Sequence, residues 1–172
     1  MPVVLCGDSA GGNLAAAVVN QLTGAALTPQ QSNIDVLGQV LIYPELGGDV
    51  GVGSYVEHAN APMLSAEEVR FYLQVRIQGE LPLSDPTFAP LHASKFSHLP
   101  RTYVVSAQCD PLSDDGKHYC NAINSAGGQA EWINEPGLVH GFLRARHSSK
   151  RAAASFNRVV SALNAIAALD TV

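Results

Sequence analysis

Cysteine is scarce in this 172-residue chain, and the few present do not form a set. Cys6, Cys109 and Cys120 are odd in number and lack metal-ligand spacing, which argues against a disulfide framework or a zinc module. Reduced thiols and a cytoplasmic location are the expectation. Positive charge is sparse as well. Ten Lys and Arg face fifteen Asp and Glu, for a net charge of −5, and no basic run exceeds "SSKR" at 148–151. Nothing in that balance suits nucleic acid or an anionic membrane surface. Apolar runs fall well short of the roughly 20 residues of a membrane span. The start, "MPVVLCGDS", has no charged leader and no cleavage site. Internal repeats and low-complexity linkers are missing too.

What is there suits a single globular domain over 1–172. Apolar residues make up 47% of the chain and charged residues 15%, enough to bury a sizeable core. Short, continuous apolar runs at 2–6 ("PVVLC"), 36–43 ("VLGQVLIY") and 101–107 ("RTYVVSA") read as strands covered on both faces. A fourth, "QAEWINE" at 129–135, alternates like a strand. Helical spacing separates them. Leu14, Val18 and Leu22 recur after the first run. Val69, Tyr72, Leu73 and Ile77 follow a capping box of Ser65 with Glu68. Tyr119, Ala122, Ile123 and Ala126 mark a helix stopped by Gly127-Gly128, and Phe156, Val159, Val160, Leu163 and Ile166 a final one. Strands alternating with helices predict an α/β fold with a mostly parallel sheet. Sites in such sheets gather at the carboxyl ends of the strands.

The first of those ends carries a serine among glycines. Gly7-Asp8-Ser9-Ala10-Gly11 fits G-x-S-x-G, with an apolar strand before it and a helix after it. Such an elbow is a strained turn, where a Cβ two residues before or after the serine is expected to collide with neighbouring backbone. The Ala10 N–H, at the helix N-terminus, is placed to meet an oxyanion. Asp8 reads as a hydrogen-bonding residue of the turn. The plainer alternative makes Ser9 only a helix cap. A serine hydroxyl needs a base, and the base an orienting acid. Asp110 follows the third strand and His140 the fourth. Asp114 and Asp115 compete for the acid role, although first-turn acids suit a helix dipole without further duty. Glu135 is an outside candidate. Of six histidines, His58, His92, His98, His118 and His147 have no accompanying motif. The Gly-rich loop at 47–53 lacks the lysine of a phosphate loop and reads as a flexible rim.

Taken together, "GDSAGGNLA", "DPLSDDG" and "VHGF" resemble the nucleophile, acid and histidine motifs of hormone-sensitive-lipase-like esterases, the bacterial family IV branch of the α/β-hydrolases. "SDPTFAPL" at 84–91 resembles that branch's approach to the third strand, and Ser, Asp, His is the α/β-hydrolase order. The resemblance implies Ser9 as nucleophile, Asp110 as acid, His140 as base and the Ala10 N–H as an oxyanion donor. It also implies hydrolysis of short- to medium-chain carboxylic esters without metal or cofactor, with amidase or lactonase activity as the alternative. The family's upstream HGGG loop, cap segment and four preceding strands have no counterpart here. The chain therefore resembles the C-terminal half of an esterase: impaired alone, partner-dependent, or prone to self-association through the unprotected edge of strand 2–6.

Overall fold

Each apolar run becomes a parallel strand. The computed structural model describes residues 1–24, 33–77 and 79–168. Its strands are β1 (Pro2–Asp8), β2 (Asp35–Ile42), β3 (Arg101–Cys109) and β4 (Ala130–Val139). They form one sheet in the order β1-β2-β3-β4, every pairing parallel. In register, Leu41 of β2 lies beside Gly7 of β1 and Val104 of β3, and Val105 lies beside Ile133 of β4. β1 is an edge of this sheet among the described residues, bonded to β2 alone.

Helices cover both faces, which is why the central strands are apolar without alternation. α1 (Ala10–Thr23) and α4 (Ser113–Ser125) pack on one face. There Ala16, Val19, Tyr119 and Ile123 meet Leu41 and Val104. α5 (Lys150–Ala167) covers the other, with Ala152, Val159 and Ile166 against Val40, Ile42, Tyr103 and Val105. A fully buried side chain of this size contributes about 1.5–3 kcal/mol. A third cluster joins the short α2 (Ser54–Glu57) and α3 (Ala66–Arg76) to the segment before β3, through Tyr55, Val69, Leu73 and Phe88. The expected capping box is present: Ser65 Oγ accepts from the Glu68 N–H at 3.1 Å, and Glu68 Oε2 from the Ser65 N–H at 2.8 Å.

Helix faces differ from the sequence expectation. Leu14 and Val18 of α1 are exposed, and the buried face is instead Gly12, Asn13, Ala15, Ala16, Ala17 and Val19. Small residues let α1 lie close against the sheet, so its larger side chains point away. Tyr72 of α3 and Phe156 and Val160 of α5 also face outward, while Ser155 is buried. The 47–53 loop is exposed at Asp49 and from Gly51 to Gly53 but anchored at both ends. Gly47 is buried, Asp115 Oδ2 accepts from the Leu46 and Gly48 N–H groups, and Asp114 Oδ2 from that of Ser54. No helix among the described residues is long and apolar enough to cross a membrane.

Candidate active site

Ser9, Asp110 and His140 each follow the last residue of a parallel strand, β1, β3 and β4 respectively. The sheet order therefore delivers all three to one edge of the molecule. Ser9 adopts φ 55° and ψ −122°, a left-handed conformation that costs a non-glycine residue about 1–3 kcal/mol. Its N–H donates to the Ile42 carbonyl at 2.9 Å, and α1 begins at the next residue. The turn is tight at Gly7, where a Cβ would lie 2.1 Å from the Gly11 carbonyl oxygen. Gly11 itself is not crowded: its Cβ would meet only Asp8 Oδ1, at 4.0 Å. The second constraint falls instead on Gly12, whose Cβ would sit 2.8 Å from Pro44 Cβ. The motif's trailing glycine is thus dispensable here on steric grounds, whereas its neighbour is not.

A continuous hydrogen-bonded chain links the three side chains. Ser9 Oγ lies 2.8 Å from His140 Nε2, and His140 Nδ1 lies 2.7 Å from Asp110 Oδ2. A carboxylate only accepts, so Nδ1 carries the proton and Nε2 is left to accept from the serine hydroxyl. Asp110 is fully buried and its other oxygen accepts from the Leu112 N–H at 3.0 Å. The rival acids are engaged elsewhere. Asp114 binds the Ser54 N–H, and Asp115 binds the 46–48 backbone and the Tyr55 hydroxyl. Glu135 forms a forked ion pair with Arg158, at 2.6 and 3.0 Å to one oxygen. His92 contacts the Gly47 carbonyl and His98 the Asn20 side chain. As the first residue of α1, Ala10 has an N–H with no acceptor inside the helix.

Two residues at the end of β2 complete the surroundings. The Tyr43 ring packs 4.8 Å from the His140 ring and 5.1 Å from Phe142, and its hydroxyl donates to Asp8 Oδ2 at 3.0 Å. Burial, helped by the Asp8 charge, pushes the Tyr43 hydroxyl well above the ordinary phenol range. Asp8 is therefore the turn's hydrogen-bonding residue. Glu45 lines the cleft beside Ser9, and burial raises its carboxyl against the opposing pull of the Gly47 N–H and of Arg76. Sequence reasoning missed both residues, although Glu45 stands just past a strand end.

The cleft at Ser9 holds about 580 Å³. Met63, Leu64, Val69, Leu73 and Leu112 give it an apolar wall, and Glu45, Arg76 and Arg144 supply its charges. A groove of about 600 Å³ lies at the opposite end of the sheet, by Arg101 and Ala130, away from any of this chemistry. Carboxyl strand ends are where parallel sheets place their sites, so the smaller opening is the relevant one.

The model of the alpha/beta hydrolase fold family matches residues 1–144. The chain belongs to that family. Carboxylesterase NlhH of Mycobacterium tuberculosis is 32% identical over 165 residues, 94% of this chain and 50% of its own length. Ethyl acetate hydrolase of Pseudomonas putida is 29% identical over 161 residues, 94% of this chain and 49% of its own length. Among solved structures, a vibralactone cyclase superposes with a TM-score of 0.85 at 26% identity, covering 96% of this chain and 49% of its own. A bacterial heroin esterase gives 0.76 at 27%, covering 95% and 50%. This alpha/beta hydrolase chain thus spans about half the length of the curated relatives it matches.

Proposed function

We propose that the chain is the nucleophile-bearing half of a hormone-sensitive-lipase-like serine carboxylesterase, acting on short- to medium-chain carboxylic esters through an acyl-enzyme. The observation that carries this reading is the 2.8 and 2.7 Å relay from Ser9 through His140 to Asp110. His140 Nε2 takes the serine proton as Oγ bonds to the ester carbonyl carbon, and the carbonyl oxygen becomes an oxyanion facing the Ala10 N–H. Collapse breaks the carbon–alkoxy bond, and the proton on His140 passes to the leaving alcohol. Water, deprotonated by the same imidazole, then releases the acid and restores Ser9. Asp110 holds the imidazole in the required tautomer and balances its charge when protonated. No step calls for a metal or cofactor. Loss of p-nitrophenyl butyrate turnover in a folded Ser9→Ala protein tests the reading; turnover at the parent rate would move the nucleophile elsewhere.

A second reading, in which the chain works only with a partner segment, has its own support. β1 is an apolar sheet edge, Leu14 and Val18 stand exposed on α1 beside it, and the curated relatives are twice as long. On this reading the relay is intact but the oxyanion site is incomplete.

A further inference from the structure

Arg144 is the cleft's uncompensated charge. It belongs to the 3-10 turn Phe142–Ala145, which follows His140 and Gly141 directly, and it lines the cleft together with Ser9 and His140. Its Nε lies 3.9 Å from where a Gly141 Cβ would stand, so the guanidinium runs along the loop that carries the histidine. Arg144 is exposed and makes no ion pair among the described residues. The cleft's other cation is occupied. Arg76 stands 3.9 Å from Glu45, 4.6 Å over the Phe88 ring, and donates to the Thr87 carbonyl. Nearby carboxylates are also committed: Asp110 to His140, Asp8 to the Tyr43 hydroxyl, and Glu45 to the Gly47 N–H and the Asn13 amide.

We propose that Arg144 makes the site selective for esters whose alcohol half carries a carboxylate. This rests on the esterase reading above and adds the substrate class. The imidazole that delivers a proton to the departing alcohol must face the alcohol half, so a charge on the same loop stands on that side. A guanidinium offers a carboxylate N–H donors and a fixed positive charge, and at this exposed position the charge, which a lysine keeps, carries most of the attraction. Water reaches Arg144, so the gain is that of an exposed ion pair.

The experiment compares 3-carboxyphenyl acetate with its neutral counterpart, 3-carbamoylphenyl acetate, as the ratio of their kcat/KM values. Taking the ratio between parent and variant cancels the intrinsic reactivity of each ester. Arg144→Gln should lower the ratio about fivefold, through KM, and Arg144→Glu further. Arg144→Lys should retain most of it, and added salt should compress it in the parent. A ratio unchanged in Arg144→Gln, or lowered equally in Arg144→Lys, overturns the charge argument. Binding of 3-hydroxybenzoate and 3-hydroxybenzamide to the Ser9→Ala protein, followed by NMR titration, reads the same contact without catalysis. Adding Arg144→Gln should weaken the acid's binding about fivefold relative to the amide's, and equal weakening overturns the proposal. A parent that hydrolyses neither ester contradicts esterase activity of this chain alone, and the binding pair then decides Arg144 by itself.

Discussion

Replacing Asp115 with asparagine should change how the protein's stability depends on pH. Asp115 is buried at the start of α4, five residues after Asp110, and ties the 46–48 backbone and Tyr55 to that helix. Burial, reinforced by the Glu45 charge, raises its carboxyl from 3.8 to about 7, against the pull of the Leu46 and Gly48 N–H groups and the Tyr55 hydroxyl. The unfolded chain releases this proton near 3.8, whereas the folded chain holds it to about 7. Between those values the folded state binds the extra proton, so stability falls as pH rises through the window and levels off above it. That gap, at about 1.36 kcal/mol per pH unit, is worth roughly 4 kcal/mol. Glu45, also raised by burial, acts in the same sense. Asparagine can keep its oxygen on the Leu46 N–H and place its nitrogen where Asp115 Oδ1 has no partner. Urea unfolding of parent and Asp115→Asn at pH 4.5 and pH 8, read by circular dichroism, isolates the effect as a difference of differences. The variant should gain on the parent by up to roughly 3 kcal/mol between the two conditions, which span most of that window. Parallel pH–stability curves would refute the assignment.

Other expectations follow from the same geometry. Asp110→Asn and His140→Ala should each lower ester turnover by roughly 10⁴, as in other triads. A normal rate in Asp110→Asn, with loss in Asp114→Asn, would show that the acid is misassigned. The open β1 edge should make the chain self-associate, with apparent mass rising with concentration in light scattering; a monodisperse monomer at high micromolar concentration contradicts this. Supplying an HGGG-bearing upstream segment, fused or mixed, should raise turnover of a short-chain ester by at least about two orders of magnitude, the worth of an oxyanion donor. Equal rates would mean that the chain already provides its second donor.

Strand positions and the three relay residues were legible for the same reason. The first three strands are written as unbroken apolar runs, and Ser9 and Asp110 stand just past two of them, whereas β4 alternates and His140 follows its end. Helix orientation was less legible. The α1 pattern of Leu14 and Val18 has helical spacing, yet Gly12, Asn13 and the alanines face the sheet, because close approach favours small side chains over large ones. Gly12 lies outside G-x-S-x-G, and only the passage of Pro44 beside it reveals the constraint. Tyr43 reads as the last apolar residue of a strand, while its packing on His140 depends on two strands that are remote in sequence. The anchoring of the 47–53 loop at its ends was equally hidden, since it rests on Asp114 and Asp115, 60 or more positions away.

The central claim is that His140 and Asp110 activate Ser9, and covalent labelling tests this without depending on the rate of turnover. The folded chain is incubated with a fluorophosphonate probe and read by intact mass and peptide mapping. The account predicts a single adduct on Ser9, absent from Ser9→Ala and strongly slowed in His140→Ala. A folded parent that stays unlabelled, or that labels equally well in Ser9→Ala, would contradict it.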